Sequence, residues 1–144
     1  MDEIRIGLFG LGHRGLHLLQ LIQGIEGYRI TAIGDMFPAL HEPGLSALDN
    51  RDGVAAYADY EDLLADPNVD AVALVVRCKE QGAMAAQALE AGKHVNSEVP
   101  AAYTMEDCWR IVVAAERSGL VYLLGEQYRY SGIIEAWRDL VQQG

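Results

Sequence analysis

The chain has 144 residues, 51% of them apolar and 22% charged, the size and balance of one soluble domain with its own core. Its formal charge of −10 comes without any cluster of Lys and Arg, so a nucleic-acid partner is excluded. The longest apolar run, Ala71 to Val76, is far too short to cross a bilayer, and no membrane association is expected. The start, Met1-Asp2-Glu3-Ile4-Arg5, is acidic and enters a strand at once. No leader is visible, and a cytoplasmic location is expected. Cys78 and Cys108 then read as free thiols, not as a disulfide or a zinc framework.

The pattern alternates strand and helix along the whole chain. Ile4 to Gly10 reads as a first strand, and His13 to Ile25 as a helix with Leu16, Leu18, Leu19, Leu21, Ile22 and Ile25 at helical spacing. Arg29 to Asp35 is a second strand. Met36 to Asp52 carries Pro38, Pro43 and Gly44 and is expected to be mostly loop, with at most a short helix. Val54–Tyr57 and Val69–Val76 follow as strands, with a short helix over Tyr60–Ala65 between them. An Ala-rich helix spans Lys79 to Ala91, and His94 to Glu98 is a fifth strand. Thr104, with Asp107 three residues on, caps a helix whose apolar stripe is Cys108, Ile111, Val112 and Ala115 and which ends at Gly119. Val121–Leu124 is a sixth strand. Ile133, Ile134, Trp137, Leu140 and Val141 mark a final amphipathic helix. Nearly all-apolar strands separated by helices predict an α/β fold: a three-layer, doubly wound parallel sheet of about six strands with helices on both faces, the Rossmann arrangement.

The chemistry concentrates at the first strand-to-helix turn, Gly10-Leu11-Gly12-His13-Arg14-Gly15. In this context Gly10 permits the tight turn, Gly12 admits the backbone close to a pyrophosphate, and Gly15 lets helix and strand pack closely. The helix start offers free N–H groups and a favourable dipole, and Arg14 adds a cation beside the phosphates. Asp35 ends the second strand, twenty residues after Gly15, where a carboxylate accepts from the adenosine ribose hydroxyls. A 2′-phosphate there would meet its charge, so NAD is expected over NADP. His13 reads as a packing or phosphate-edge residue, with no carboxylate partner apparent.

These residues resemble the N-terminal domain of the glucose–fructose oxidoreductase, inositol dehydrogenase and MocA family (Gfo/Idh/MocA). The resemblance runs from Ile4 to about Gly144. It rests on the glycine turn, Asp35, the stretch Tyr60-Glu61-Asp62-Leu63-Leu64-Ala65-Asp66-Pro67-Asn68-Val69-Asp70-Ala71-Val72, the stretch Ala88-Leu89-Glu90-Ala91-Gly92-Lys93-His94-Val95, and Glu98 and Pro100. It implies an NAD-dependent oxidoreductase moving hydride between the nicotinamide and a sugar, polyol or similar small molecule. It also implies a cofactor contact set of Gly10, Leu11, Gly12, His13, Arg14, Gly15, Asp35, Val76, Arg77, Glu98 and Gln127. In that family a second α/β domain carries most substrate contacts. Residues 1–130 are then the dinucleotide-binding domain, and 131–144 a helix at the start of the next.

Two departures matter. The family usually shows Glu-Lys-Pro after the fifth strand, where this chain has Glu98-Val99-Pro100, and valine cannot move the proton that the lysine handles. It usually shows Pro-Asn after the fourth strand and a His three residues beyond the Asn, where this chain has Arg77-Cys78 and then Gln81. The run Ser97-Glu98-Val99-Pro100-Ala101-Ala102, with Asp107-Cys108-Trp109, is similar to another branch that includes NAD-dependent glycoside hydrolases of the α-N-acetylgalactosaminidase type. A non-catalytic nucleotide-binding module is the third reading. No residue is assigned a catalytic role or a metal, and this chain alone is expected to hold NAD without turnover. Glu98 is read as orienting the cofactor ribose. Arg77 is either a salt-bridged loop residue or a contact to cofactor or anionic substrate. Cys108 and Trp109 are expected in the core and His94 in a structural role. Tyr128, Arg129 and Tyr130 line the cofactor mouth or pack a domain junction. Exposed apolar surface on the last helix is expected to drive some homo-oligomerisation.

Overall fold

The computed structural model describes residues 3–144, and the Met1-Asp2 start lies outside the described residues. Six strands form one sheet: β1 (Ile4–Phe9), β2 (Tyr28–Gly34), β3 (Ala55–Tyr57), β4 (Ala71–Leu74), β5 (His94–Ser97) and β6 (Tyr122–Leu124). Their order is β3-β2-β1-β4-β5-β6, and every neighbouring pair is parallel. The helices are α1 (His13–Gln23), α2 (His41–Ser46), α3 (Tyr60–Ala65), α4 (Cys78–Glu90), α5 (Met105–Ser118) and α6 (Gly132–Gln143). This is the doubly wound sheet that the alternating pattern predicts.

The strands are apolar throughout because both faces are covered. Leu8, Ile33 and Ala73 pack with Leu11, Leu19 and Ile22 beneath α1 and α2. Their chain neighbours Phe9, Ala32 and Leu74 point the other way, into a core with Leu63, Ala85, Leu89 and Ile111 from α3, α4 and α5. Small residues let α4 and α5 approach: a Cβ on Gly82 would lie 2.7 Å from the Cβ atoms of Ala102 and Asp107.

Several sequence expectations shift. The segment from Met36 to Asp52 holds a 3₁₀ turn at Pro38–Leu40 that leads directly into α2, with Pro43 in the first turn, where its missing N–H costs nothing. Strands β3 to β6 are each one to four residues shorter than the apolar runs, because the run continues into backbone that has left the sheet. Helix α1 ends at Gln23, short of the expected Ile25, and Leu21 and Ile25 are exposed. On α5 the buried residues are Ile111 and Ala114, Cys108 and Ala115 are half-buried, and Val112 faces outward. Trp109, expected in the core, is 64% exposed. One face of α5 meets α4 and β6, which is narrower than the apolar stripe in the sequence. Helix α6 has no buried residue, although Ile133, Trp137, Leu140 and Val141 form an apolar face. Cys78 and Cys108 are free thiols. Among the described residues no helix is long and apolar enough to cross a membrane.

The amino end of the sheet is a closed polar lattice. Arg5 donates from its backbone N–H (2.9 Å), Nε (2.9 Å) and Nη2 (2.6 Å) to the Asp70 carboxylate. That hydrogen-bonded guanidinium holds the Asp70 carboxyl at about 2, below the ordinary 3.8. The buried Asp66 accepts from the Asn68 N–H (2.8 Å) and the Tyr57 hydroxyl (3.1 Å). Lys93 closes the same turn from the next strand, its Nζ donating to the carbonyls of Asp66 (2.9 Å) and Val69 (2.7 Å). His94 accepts from the Val121 N–H at Nδ1, which bears out its structural reading.

Candidate dinucleotide site

The strand order reverses between β1 and β4, and the glycine turn sits at the carboxyl end of β1 beside this switch point. The three glycines have three separate causes. Gly10 has φ +105°, and a Cβ on it would lie 2.0 Å from the Val75 carbonyl oxygen. A Cβ on Gly15 would lie 1.8 Å from the Gly10 carbonyl oxygen, so α1 can start against the turn only with glycine there. A Cβ on Gly12 meets nothing within 4 Å. Gly12 therefore lines open space, and packing within the chain gives it no reason to be glycine. A group approaching from outside does, and a phosphate fits that cradle. The first backbone bond of α1 runs from the Leu16 N–H to the Gly12 carbonyl (2.9 Å). Among the described residues, the N–H groups of Gly12, His13 and Arg14 have no protein acceptor and point along the helix start.

Asp35 lies at the end of β2 and is 8% exposed. Its Oδ2 accepts from the Leu11 N–H (2.8 Å) and its Oδ1 from the Phe37 N–H (2.9 Å). The carboxylate thus ties the glycine turn to the start of the next loop, and each oxygen keeps lone-pair capacity for a hydroxyl donor. His41, on α2, contacts the Asp35 carbonyl through Nε2 (2.9 Å). Its place in a Pro- and Gly-rich stretch gave no sign of this. Leu11 differs from the expectation: its side chain is fully buried and its N–H belongs to Asp35, so it supports the turn from below.

Arg14 also differs. Its Nε (2.8 Å) and Nη2 (2.5 Å) both reach Oε1 of Glu98, just past β5. Glu98 is further held through its backbone, its N–H donating to Leu74 O (3.1 Å) and its carbonyl accepting from the Gln81 side-chain amide. Gln81, noted in the sequence only as standing where a His was expected, is 1% exposed and also donates to the Pro100 carbonyl. It anchors the Glu98-Val99-Pro100 segment from beneath. Val76 is half-buried just beyond β4, and Arg77 is exposed at the N-cap of α4, with no ion pair among the described residues. The structure therefore gathers the glycine turn, Asp35 and Glu98 along one edge, with Val76 and Arg77 at the adjoining strand end. Gln127 opens a 3₁₀ turn past β6 and has no hydrogen bond to the rest of the set. Two surface grooves, of 580 and 570 Å³, lie between α4 and α5 and between α5 and β6, away from this edge.

Residues 4–126 match the family model of the Gfo/Idh/MocA oxidoreductases, described as the NAD-binding Rossmann fold. The chain belongs to the Gfo/Idh/MocA family. It is 31% identical to a glycosyl hydrolase family 109 protein of Shewanella baltica and 35% identical to a glycosyl hydrolase family 109 protein 2 of a Shewanella species. Each match covers all of this chain and 33% of the relative, so the chain spans about a third of the length of the curated relatives it matches. The structure is similar to scyllo-inositol dehydrogenase from Lactobacillus casei with bound NAD(H) and scyllo-inositol, with TM-score 0.85 and 27% identity, covering 99% of this chain and 42% of that one. The NAD-binding Rossmann reading of the domain is thereby established, as is the oxidoreductase family.

Proposed function

We propose that this chain is the cofactor half of an NAD-dependent protein acting on a sugar or polyol. The observation that carries the reading is the cradle at Gly12, open where a Cβ would stand and bordered by unpaired helix-start N–H groups. Gly12, His13, Arg14 and Gly15 would hold the pyrophosphate side, Asp35 the adenosine ribose, and Glu98 the other ribose, with Val76, Arg77 and Gln127 along the same edge. Once bound, the nicotinamide supplies hydride acceptance and return. The chain's own residues bind and orient. Asp35 presents a negative charge where a 2′-phosphate would sit, which supports NAD over NADP. The exposed apolar face of α6 supports reading residues 131–144 as the approach to a substrate domain, and contact through that face is the route we propose for self-association.

The test is calorimetric titration of NAD and NADP. NAD is expected to bind at least about tenfold tighter, a preference of the size one repelled charge produces. Asp35→Asn should narrow the gap. Equal or tighter NADP binding refutes the assignment of Asp35.

A second reading, an NAD-dependent glycoside hydrolase, is favoured by the 31–35% identity to the glycosyl hydrolase family 109 proteins and by Val99 in place of a lysine. In the complete protein, NADH accumulating with a polyol supports the dehydrogenase. Aryl glycoside cleavage without NADH accumulation supports the hydrolase.

A further inference from the structure

The contact between Arg14 and Glu98 joins residues 84 positions apart, across the carboxyl edge of the sheet. Its acid is only 13% exposed, against 40% for the arginine. Both guanidinium contacts fall on Oε1, and no described residue donates to Oε2. The Glu98 backbone is fixed independently by Leu74 and by the buried Gln81 amide. Glu98 is thus held by its backbone and by one carboxylate oxygen, and keeps the other oxygen as an acceptor. A charged acceptor shielded from water and fixed in direction binds a hydroxyl donor strongly. In a doubly wound sheet the dinucleotide lies across this edge, with one half on each side of the switch point. Asp35 stands on the β2 side and Glu98 on the β5 side.

We infer that the Arg14 side chain positions Glu98: it fixes the carboxylate so that its free oxygen takes a ribose hydroxyl of the far half of the dinucleotide, and of Arg14 only the backbone N–H serves the pyrophosphate. The inference rests on the reading that the glycine turn holds NAD. It differs from the expectation of a cation beside the phosphates in a measurable way. A phosphate contact would act on any ligand carrying the adenosine diphosphate group. A contact made through Glu98 acts only on ligands that extend past it.

The experiment titrates the full chain with NAD and with ADP, as wild type, Arg14→Leu, Glu98→Gln and the double variant. Each single variant should weaken NAD about tenfold, the size of one lost charge-assisted hydrogen bond. The double variant should be no more than about twofold worse than either single, because both remove the same contact. ADP affinity should stay within about twofold throughout. ADP weakening in parallel with NAD, singles that multiply in the double, or an Arg14→Leu variant with wild-type NAD affinity each overturn the inference. A thermal melt checks folding, and Glu98→Gln, which keeps the shape of the side chain, carries the test if Arg14→Leu does not fold. A wild type that binds neither ligand removes the functional reading first. A wild type that binds both with equal affinity removes only this inference.

Discussion

The two ends of the sheet are built from the same strands and behave as opposites. At the amino end, polar groups use one another up. The Asp70 carboxylate takes three hydrogen bonds from Arg5, both oxygens of the buried Asp66 are bonded by Asn68 and Tyr57, and the Lys93 ammonium is shared between two carbonyls. At the carboxyl end, polar groups are left with capacity: among the described residues, helix-start N–H groups without acceptors and a Glu98 with one oxygen free. Much of the family resemblance, from Asp66 to Asp70 and from Gly92 to His94, lies at the amino end. A recognisable motif there states how the domain holds together. The glycine turn, a shorter motif, states what it binds.

Four substitutions break or sharpen that contrast. Gly15→Ala should have the largest effect. Its methyl would stand 1.8 Å from a backbone oxygen, so urea unfolding should show a loss of at least about 3 kcal/mol and NAD binding should fail with it. Gly12→Val separates the two properties. It faces open space, so stability should stay within about 1 kcal/mol while NAD affinity falls about a hundredfold by titration. A large stability loss there would mean that Gly12 is a packing glycine after all. Lys93→Met is the mirror case at the amino end. Two carbonyls lose a charged donor, so stability should drop about 1–2 kcal/mol with NAD affinity unchanged.

The smallest effect is Asp70→Asn, a modest loss of stability above about pH 4 that disappears in acid. Folding lowers the Asp70 carboxyl from 3.8 to about 2, so its contribution is present above about pH 4 and lost as pH falls toward 2. The pair is partly exposed, so solvent screens it and the loss is modest. The variant's unfolding midpoint should vary less with pH over that range than wild type, and an identical pH profile would count against the pair.

The fold was legible because its signals are periodic: apolar runs, a helical stripe, a glycine turn and an acid at the right distance from it. Asp35 was singled out by its spacing from the glycine turn and its place at a strand end. What spacing could not supply is which distant residues meet. Glu98 and Arg14 were each noticed, but nothing local says that the arginine reaches an acid 84 residues on. Gln81 was measured against an absent histidine, while its work is to hold two backbone carbonyls from a fully buried position. Trp109 was read as core because it is large and apolar, yet only one side of α5 is covered and Trp109 is on the other. In each case the missing information is three-dimensional adjacency, which hydrophobic period and residue type do not encode.

The chain contains two lysines, and the fold has given them opposite surroundings. Lys79 stands on the exposed first turn of α4 with its ammonium 5.9 Å from the Tyr103 ring centroid. Lys93 has two of its three hydrogens directed into carbonyls. An amine-reactive label or an acetylating agent therefore meets one open lysine and one closed lysine on the same polypeptide. The ratio of the two labelled peptides becomes an internal clock for opening of the Asp66–Val69 turn, with Lys79 as its built-in reference.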